Sequence, residues 1–312
     1  MSERMLPGGA WPVMLTPFHD DRSIDWDGVD AYVDWLIELG ASGLFAVALS
    51  SEMYDLSDDE QLALARRVVA RADGRVPVVA SAVASGAPER QADRVAEVAA
   101  TGVDAVVLIS SLVVPPEASA VQWIGAATTV LERNPGVDVG IYECPLPAKR
   151  LLDLDTVGWL ASTGRCTFYK DTSHDLDVMG ARIEASAGTR LRVYNAAIAS
   201  LVPSLRLGAA GLSGYAANIY PELVEWLCRH ALEDSTDVAA VQRLLTVAEH
   251  AVNLRYPASA KVLLDVSSRL TFRQHSRWKP ERIGDHEREP LRQLADYLAA
   301  LDLERVAVHP AR

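Results

Sequence analysis

The sequence predicts an α/β protein, a (β/α)8 TIM barrel with a C-terminal helical appendage, on the basis of three observations. Short apolar runs rich in β-branched residues alternate with segments of helical periodicity along residues 11–213. Each run is continuously apolar, which is typical of parallel strands covered by helices on both faces. The glycine fingerprint of dinucleotide-binding folds is missing from the sequence, which favours a closed barrel over a doubly wound sheet.

Eight strands and six intervening helices are predicted for the barrel. The first strand covers residues 11–15, and the others begin near Gly43, Val76, Asp104, Val137, Cys166, Leu191 and Ala210. The helices are predicted over residues 27–39, 57–72, 88–101, 118–132, 155–162 and 175–187. The second helix opens with a capping box, in which Ser57 and Glu60 can satisfy each other's backbone N–H groups.

Only helices are predicted after the eighth strand. They cover residues 221–232, 238–254, 258–270 and 288–301. The first of them completes the barrel, so residues 1–232 are predicted to form the barrel. Residues 233–312 are predicted to form a helical region packed on the barrel, because no low-complexity linker separates the two parts.

The composition argues against several functional classes. The chain has 312 residues, of which 49% are hydrophobic, and its formal net charge of −12 should repel nucleic acids and anionic membranes. The three cysteines are far apart, which argues against a disulfide framework, and no apolar stretch reaches the ~18 residues of a membrane helix. The seven histidines show neither HxH nor HExxH spacing, so we expect no catalytic metal. No other cofactor is expected either. A cytoplasmic protein with a small-molecule partner is expected.

Lys170 is the first candidate for a functional residue. It closes the apolar run of residues 166–170, and a lysine is costly at the end of a buried strand unless it is paired or changes its pKa. Strand ends of this kind open onto the face where such barrels keep their active sites. A neutral lysine there could form a Schiff base with a carbonyl substrate. The alternative is a lysine that extends to the rim and pairs with Asp171.

Further candidates follow the other predicted strands. They are Ser50, Ser51, Glu52, Tyr142, Glu143, Asn195, Gly211 and Leu212. Serine hydroxyls and backbone N–H groups in a turn can bind a carboxylate, and a tyrosine can pass a proton to and from a carbinolamine. Structural alternatives stay open for these residues: the serines could only turn the chain, Tyr142 could be a buried ring, and Cys144 is interpreted as a small buried residue.

Six segments together resemble the dihydrodipicolinate synthase/N-acetylneuraminate lyase family of class I aldolases. They are residues 15–18 with 23–25 (LTPF, SID), 48–52 (ALSSE), 74–78 (GRVPV), 142–145 (YECP), 169–171 (YKD) and 208–213 (GAAGLS). The resemblance covers roughly residues 10–300, and the segments follow the family's order and spacing. It implies a (β/α)8 barrel, no cofactor, a 2-oxo acid substrate, and a homodimer or homotetramer.

The resemblance also implies a role for several residues. Lys170 would be the Schiff-base lysine and Tyr142 the proton-relay tyrosine. Ser50 and Ser51 would hold the carboxylate of the 2-oxo acid, and Glu52 would support that turn. Gly211 and Leu212 would line the pocket, and Asn195 and Glu143 are added here as substrate-binding candidates. Glu143 could contact hydroxyl groups of the substrate, or it could be an exposed loop carboxylate.

Several positions depart from the family pattern of the dihydrodipicolinate synthases. Leu49 stands where those enzymes have a hydroxyl residue of the proton relay, and residues 110–112 lack the tyrosine that a neighbouring subunit provides there. The arginine that grips the second substrate is missing near Pro147, where Lys149 and Arg150 are the nearest cations.

The sequence therefore favours a class I aldolase or lyase that forms a Schiff base with pyruvate or another 2-oxo acid. Carbon–carbon cleavage, condensation or dehydration could follow. The alternatives are true 4-hydroxy-tetrahydrodipicolinate synthase activity, with pyruvate and aspartate semialdehyde as substrates, and a non-catalytic 2-oxo acid binder.

Overall fold

The computed structural model describes residues 5–301, which fold into a (β/α)8 barrel followed by further helices. Eight parallel strands form one sheet in the order β1-β8-β7-β6-β5-β4-β3-β2. They are β1 (Gly9–Ala10), β2 (Leu44–Val47), β3 (Val78–Ala82), β4 (Ala105–Ile109), β5 (Val139–Tyr142), β6 (Cys166–Asp171), β7 (Arg192–Asn195) and β8 (Gly211–Leu212). The predicted fold class is confirmed.

The ring closes between the segment after β1 and strand β2. Val13 forms a parallel bridge with Phe45, whose N–H also donates to the carbonyl of Pro12 at 2.9 Å. The first strand is therefore shorter and begins earlier than predicted, since residues 9–11 bond to β8 and residues 12–14 to β2. Pro12 has no N–H to donate, which limits a regular ladder at this point.

Eleven α-helices occur in residues 5–301. They are α1 (Trp26–Glu38), α2 (Asp58–Ala72), α3 (Pro88–Ala99), α4 (Ala120–Arg133), α5 (Leu154–Ser162), α6 (Leu176–Ala185), α7 (Leu201–Arg206), α8 (Pro221–His230), α9 (Thr236–Asn253), α10 (Ala258–Val266) and α11 (Asp285–Ala300). The short helix α7 was not predicted. The capping box predicted at the start of α2 is present, with the Ser57 hydroxyl accepting from the Glu60 N–H. No helix in the described part of the chain is long and apolar enough to cross a membrane.

The barrel interior below the strand ends is filled by aromatic rings. Phe168 stacks on Tyr194 with ring centroids 4.7 Å apart, and Trp11 and Phe45 lie within 5.2 and 5.7 Å of the Phe168 ring. All four residues are buried. This layer fills the interior below the strand ends, so we expect a ligand to enter from the side of the strand carboxyl ends.

Helix α9 lies against that open side. The backbone N–H of Val202 donates to Gln242 of α9, and the Gln242 amide donates to the carbonyl of Ile198. The predicted boundary after residue 232 falls between α8 and α9 and stays a prediction. These contacts fix α9 directly to the β7–α7 connection.

Candidate active site

Lys170 points into the barrel beside Tyr142. The two residues are register partners on the neighbouring strands β5 and β6, and Lys170 also pairs in register with Tyr194 on β7. The Lys170 side chain is 5% exposed, and its Nζ lies 4.5 Å from the centroid of the Tyr142 ring. Side chains alternate between the two faces of a strand, so Phe168 and Lys170 point inward and Tyr169 and Asp171 point outward.

Burial lowers the pKa of Lys170 to about 7, and the attractions of Cys144 and Glu249 oppose that shift. The predicted alternative, an ion pair with Asp171, is wrong. The Asp171 carboxylate instead accepts from Arg182 at 2.5 Å and from the Ser173 hydroxyl at 2.6 Å, on the outer face of the sheet. A substantial fraction of Lys170 is therefore neutral at neutral pH, as a nucleophilic amine requires.

Tyr142 is buried, and its hydroxyl interacts with the thiol of Cys144. Burial raises the pKa of Tyr142 well above its usual value, so the phenol carries its proton at neutral pH. Burial also raises the pKa of Cys144, which keeps the thiol neutral and makes it a poor nucleophile. The Tyr54 hydroxyl interacts with the same thiol and donates to the carbonyl of Leu146 at 2.7 Å. Sequence reasoning did not identify Tyr54.

The turn after β2 is a 3-10 helix formed by Leu49–Ser51. The Ser51 hydroxyl is fully buried and bonds the Ala48 N–H and carbonyl, both at 2.7 Å, so it holds the turn together. The Ser50 hydroxyl instead interacts with Tyr256. The two hydroxyls therefore have different partners: the Ser51 hydroxyl holds the turn, and the Ser50 hydroxyl lies toward Tyr256.

Glu52 fixes this turn to the C-terminal region. Its backbone adopts the left-handed conformation with φ 63°, and its carboxylate accepts from Lys261 at 2.8 Å, Ser276 at 2.9 Å and the Trp278 N–H at 2.9 Å. Both side chains of the Glu52–Lys261 ion pair are fully buried. The Glu52 oxygens are therefore occupied by the protein, and its role in supporting a substrate-binding turn stays a prediction.

Glu143 does not face the mouth of the barrel, which corrects its predicted role in substrate binding. Since Tyr142 points inward, the next side chain points outward, toward α6. The fully buried carboxylate receives both terminal nitrogens of Arg182, at 2.7 and 3.0 Å, the Tyr169 hydroxyl at 2.7 Å and the Leu152 N–H at 2.8 Å. Burial raises the pKa of Glu143, and the attraction of Arg182 opposes this. The carboxylate therefore joins β6, through Tyr169, to the layer of helices outside the strands, the outer layer, through Arg182 of α6.

Asn195 also lies outside the pocket, contrary to its predicted role in substrate binding. Its amide nitrogen donates to the hydroxyls of Ser200 and Ser204, both at 3.0 Å, and its oxygen accepts from the Ala197 N–H at 2.8 Å. The side chain follows Tyr194, which points inward, so it points outward by the same alternation. It orders the connection from β7 to α7.

Gly211 and Leu212 form β8 and are buried. A Cβ atom at position 211 would lie 2.0 Å from the carbonyl oxygen of Gly9, so strand pairing with β1 is a sufficient reason for glycine here. Leu212 pairs in register with Ala10 and Asn195. A role of either residue in lining the pocket stays a prediction.

Three side chains that sequence reasoning missed lie on the side of the site formed by α9. The rings of Tyr215 and Tyr256 are 4.5 Å apart, and the Tyr256 hydroxyl accepts from the Asn218 amide at 2.8 Å. Glu249 of α9 interacts electrostatically with Lys170, Tyr215 and Tyr256. The sequence held a signal for Glu249, because this charged residue occupies a position at helical spacing with the apolar residues of α9.

A large cleft on the surface lies elsewhere. It has a volume of about 690 Å³ and is lined by mixed charges from residues 20–25 and 265–288. None of the candidate residues described above lines it. Within residues 5–301, no group of three or more histidine, cysteine, aspartate or glutamate side chains is arranged to hold a metal ion.

Comparisons with known proteins agree with this fold. Residues 6–274 match the model of the Dihydrodipicolinate synthetase family. A 4-hydroxy-tetrahydrodipicolinate synthase of Oceanobacillus iheyensis is 26% identical over 263 residues, covering 84% of this chain and 88% of the relative. An uncharacterized DapA-like lyase of Halobacterium salinarum is 30% identical over 263 residues, covering 82% and 83%. The crystal structure of YagE from E. coli K12, a member of the same family in complex with pyruvate, superposes with a TM-score of 0.84 at 21% identity, covering 94% and 99%.

Proposed function

The chain belongs to the dihydrodipicolinate synthetase family and is a lyase, and we propose that it is of the class I type, in which Lys170 forms a Schiff base with pyruvate or another 2-oxo acid. The observation that carries this proposal is the position of Lys170, buried inside the barrel beside Tyr142. No ion pair within residues 5–301 holds its ammonium group in the charged form. A buried lysine of this kind is the form in which the side chain acts as a nucleophile.

The first step uses the neutral amine of Lys170. Its nitrogen attacks the carbonyl carbon of the 2-oxo acid, and the resulting carbinolamine loses water to give an iminium ion. The protonated Tyr142 hydroxyl lies beside the amine and can pass protons during this dehydration, a contribution typically worth about 10²–10⁴-fold. When a bond to C3, the carbon next to the iminium carbon, breaks, the iminium accepts the electron pair of that bond.

The turn that contains Ser50 would hold the substrate carboxylate near Lys170. Ser51 and Glu52 keep this turn in one conformation, through the Ala48 backbone and Lys261 respectively. A fixed carboxylate site places the carbonyl carbon next to the amine, which converts the attack into an intramolecular step. The pyruvate bound by YagE supports a 2-oxo acid as the substrate class.

Two alternative functions are less well supported. True 4-hydroxy-tetrahydrodipicolinate synthase activity would need a cation for the second substrate. Lys149 donates to the Thr172 carbonyl at 2.5 Å, and Arg150 donates to the carbonyls of Ala118 and Pro115, so both cations are already engaged. A non-catalytic 2-oxo acid binder would not need a buried lysine, which reduces the stability of the folded chain.

Reductive trapping tests the proposal directly. The protein is incubated with pyruvate and borohydride, its intact mass is measured, and the modified peptide is mapped. The chain has only four lysines, and two of them, Lys149 and Lys279, are exposed. We expect one pyruvate adduct at Lys170, its loss in Lys170→Met, and its retention in the matched control Lys149→Met.

Lys261 is the internal control, because it is fully buried but paired with Glu52. An adduct at Lys261, or an adduct that survives Lys170→Met, would contradict the assignment of Lys170. The absence of any adduct with pyruvate and with longer 2-oxo acids would instead favour the non-catalytic binder.

Assembly and location are proposed on the family resemblance. We propose a homodimer or homotetramer, which sedimentation at several protein concentrations would check. We also propose a cytoplasmic location, which fractionation of the source cells would check.

A further inference from the structure

Helix α9 brings a carboxyl group from the C-terminal region to the proposed active site. Val238, Leu245 and Val252 are buried on the face of α9 that packs on the barrel, and Glu249 follows Leu245 by four residues on the same face. Gln242, one turn before Leu245, is bonded to the β7–α7 connection. The position of Glu249 is therefore fixed by packing on both sides of it.

Glu249 faces the groups around Lys170. The charged and titratable groups that interact with it are Lys170 on β6, Tyr215 in the 3-10 helix after β8, and Tyr256 after α9. Burial raises the pKa of Glu249 to about 7, and the attraction of Lys170 opposes this. Its carboxyl can therefore gain or lose a proton near neutral pH.

One oxygen of Glu249 lacks a partner. Oε1 is buried and accepts no hydrogen bond from the residues described by the structure, although the side chain as a whole is partly exposed. Two more deeply buried carboxylates are engaged: Glu52 accepts from Lys261, and Glu143 accepts from Arg182. Glu222 also has one buried oxygen without a partner in the described part of the chain, but its other oxygen accepts from Arg269. Buried polar atoms are nearly always bonded, so an open acceptor beside the reactive lysine suggests that a ligand provides the donor.

We propose that Glu249 binds the hydroxyl group on the distal part of a hydroxylated 2-oxo acid and acts there as the general acid–base. This inference rests on the proposed Schiff base at Lys170. A substrate with a hydroxylated distal part is expected, because the Glu249 carboxyl accepts hydrogen bonds from hydroxyls. Its negative charge disfavours a second carboxylate on the substrate.

In the cleavage direction, Glu249 takes the proton of the C4 hydroxyl while the C3–C4 bond breaks. C4 and its oxygen become the carbonyl group of an aldehyde, which leaves. The electron pair of that bond moves onto the iminium at C2 and gives an enamine on Lys170. In condensation the same carboxyl returns its proton to the forming C4 hydroxyl, so no oxidant or further reactant is needed. A group with a pKa near the working pH suits both directions.

The test compares two aldehydes as acceptors for pyruvate, glyceraldehyde with a neutral hydroxylated tail and glyoxylate with a carboxylate. Wild type should condense glyceraldehyde with the higher kcat/KM. Glu249→Gln should lower kcat with glyceraldehyde by about 10²-fold, the typical size of a general acid–base contribution. The ratio of kcat/KM for glyceraldehyde to kcat/KM for glyoxylate should be smaller in Glu249→Gln than in wild type. Glu233→Gln, which removes an exposed carboxylate just before α9, is the matched control and should behave as wild type.

The trapped pyruvate adduct separates this proposal from the proposed function. Glu249→Gln should still form the adduct at Lys170, and the midpoint of its pH dependence should move to lower pH, because the attraction that favours the ammonium is gone. An adduct with a shifted midpoint but unchanged kcat and KM for glyceraldehyde would overturn the proposal, as would a wild-type preference for glyoxylate or no condensation of either aldehyde. Failure of the wild type to form any adduct at Lys170 would overturn the Schiff-base assignment itself.

Discussion

Two buried lysines in this chain show that burial alone does not make a nucleophile. Burial lowers the pKa of both Lys170 and Lys261. Lys261 donates to the Glu52 carboxylate at 2.8 Å and to the His275 carbonyl at 2.7 Å, and both interactions favour its charged form. Lys170 has an aromatic ring beside it and, in the described chain, no ion pair. The partner of each side chain therefore decides its chemistry.

A stability measurement can detect how much the buried, unpaired Lys170 lowers the free energy of unfolding. The pKa of Lys170 is about 7 in the folded chain and 10.5 in its ordinary state, so the unfolded chain binds more protons between these values. The stability of wild type should therefore rise with pH between about 7 and 10.5. We expect Lys170→Met to increase the free energy of unfolding at pH 7 by about 2–4 kcal/mol, from about 1.4 kcal/mol per pKa unit.

Urea unfolding at several pH values would check this prediction. The difference between Lys170→Met and wild type should be largest at or below pH 7 and should vanish above about pH 10. A variant that is less stable than wild type at pH 7 would show that Lys170 is held charged by a partner.

At the scale of the element, the alternation of side chains along a strand separates the candidate site residues that point into the barrel from those that point outward. Sequence reasoning placed the ends of β5, β6 and β7 to within one residue, but it treated Glu143 and Asn195 as part of the mouth. Tyr142 and Lys170 point inward, whereas Glu143 and Asn195, each one residue after an inward tyrosine, bond to the outer layer. The period of two could have excluded both outward residues once Tyr142 and Tyr194 were assigned to the interior.

The outer layer around Arg182 should contribute to stability. Glu143→Gln removes one of the two carboxylates that pair with the buried guanidinium and leaves Asp171. We expect a loss of about 3 kcal/mol in the free energy of unfolding, because a buried cation loses part of its compensation. Asp30→Asn is the control, since its pair with Arg67 is partly exposed to solvent and should contribute less than about 1 kcal/mol.

The same variant tests the corrected role of Glu143. If it is structural, Glu143→Gln should keep the pyruvate adduct and should have the kcat/KM of wild type at a temperature where it is folded. Unchanged stability combined with a clear loss of turnover would restore the role in substrate binding.

At the scale of the whole molecule, the sequence predicted the barrel well and the contribution of the C-terminal region poorly. Continuous apolar runs depend on local composition, so most strands and helices were placed within a few residues. Glu52 pairs with Lys261, and Lys170 is attracted by Glu249, so both interactions join residues that lie far apart along the chain. Helical periodicity cannot state which surface a helix covers. The sequence did hold a signal for Glu249, because an acidic residue within the apolar face of a helix has to contact a polar group.

The Glu52–Lys261 pair joins the two parts of the chain and should determine whether the Ser50 turn keeps its shape. Lys261→Met leaves the buried Glu52 carboxylate without its cation, so we expect a loss of about 3–5 kcal/mol and weaker pyruvate binding. Lys279→Met, at an exposed position, is the control and should change little.

The double variant Glu52→Gln, Lys261→Met removes both charges and should lose much less stability than the sum of the single variants, because no uncompensated charge remains buried. Unfolding free energies of the four proteins give this coupling energy. Pyruvate affinity should follow a different pattern and stay weak in the double variant, because Ser276 and the Trp278 N–H also bond the Glu52 carboxylate and would lose that charged acceptor. Recovery of stability without recovery of affinity would show that the pair orders the substrate turn as well as the fold. Additive losses of stability would mean that the two parts of the chain are held together mainly by apolar contacts.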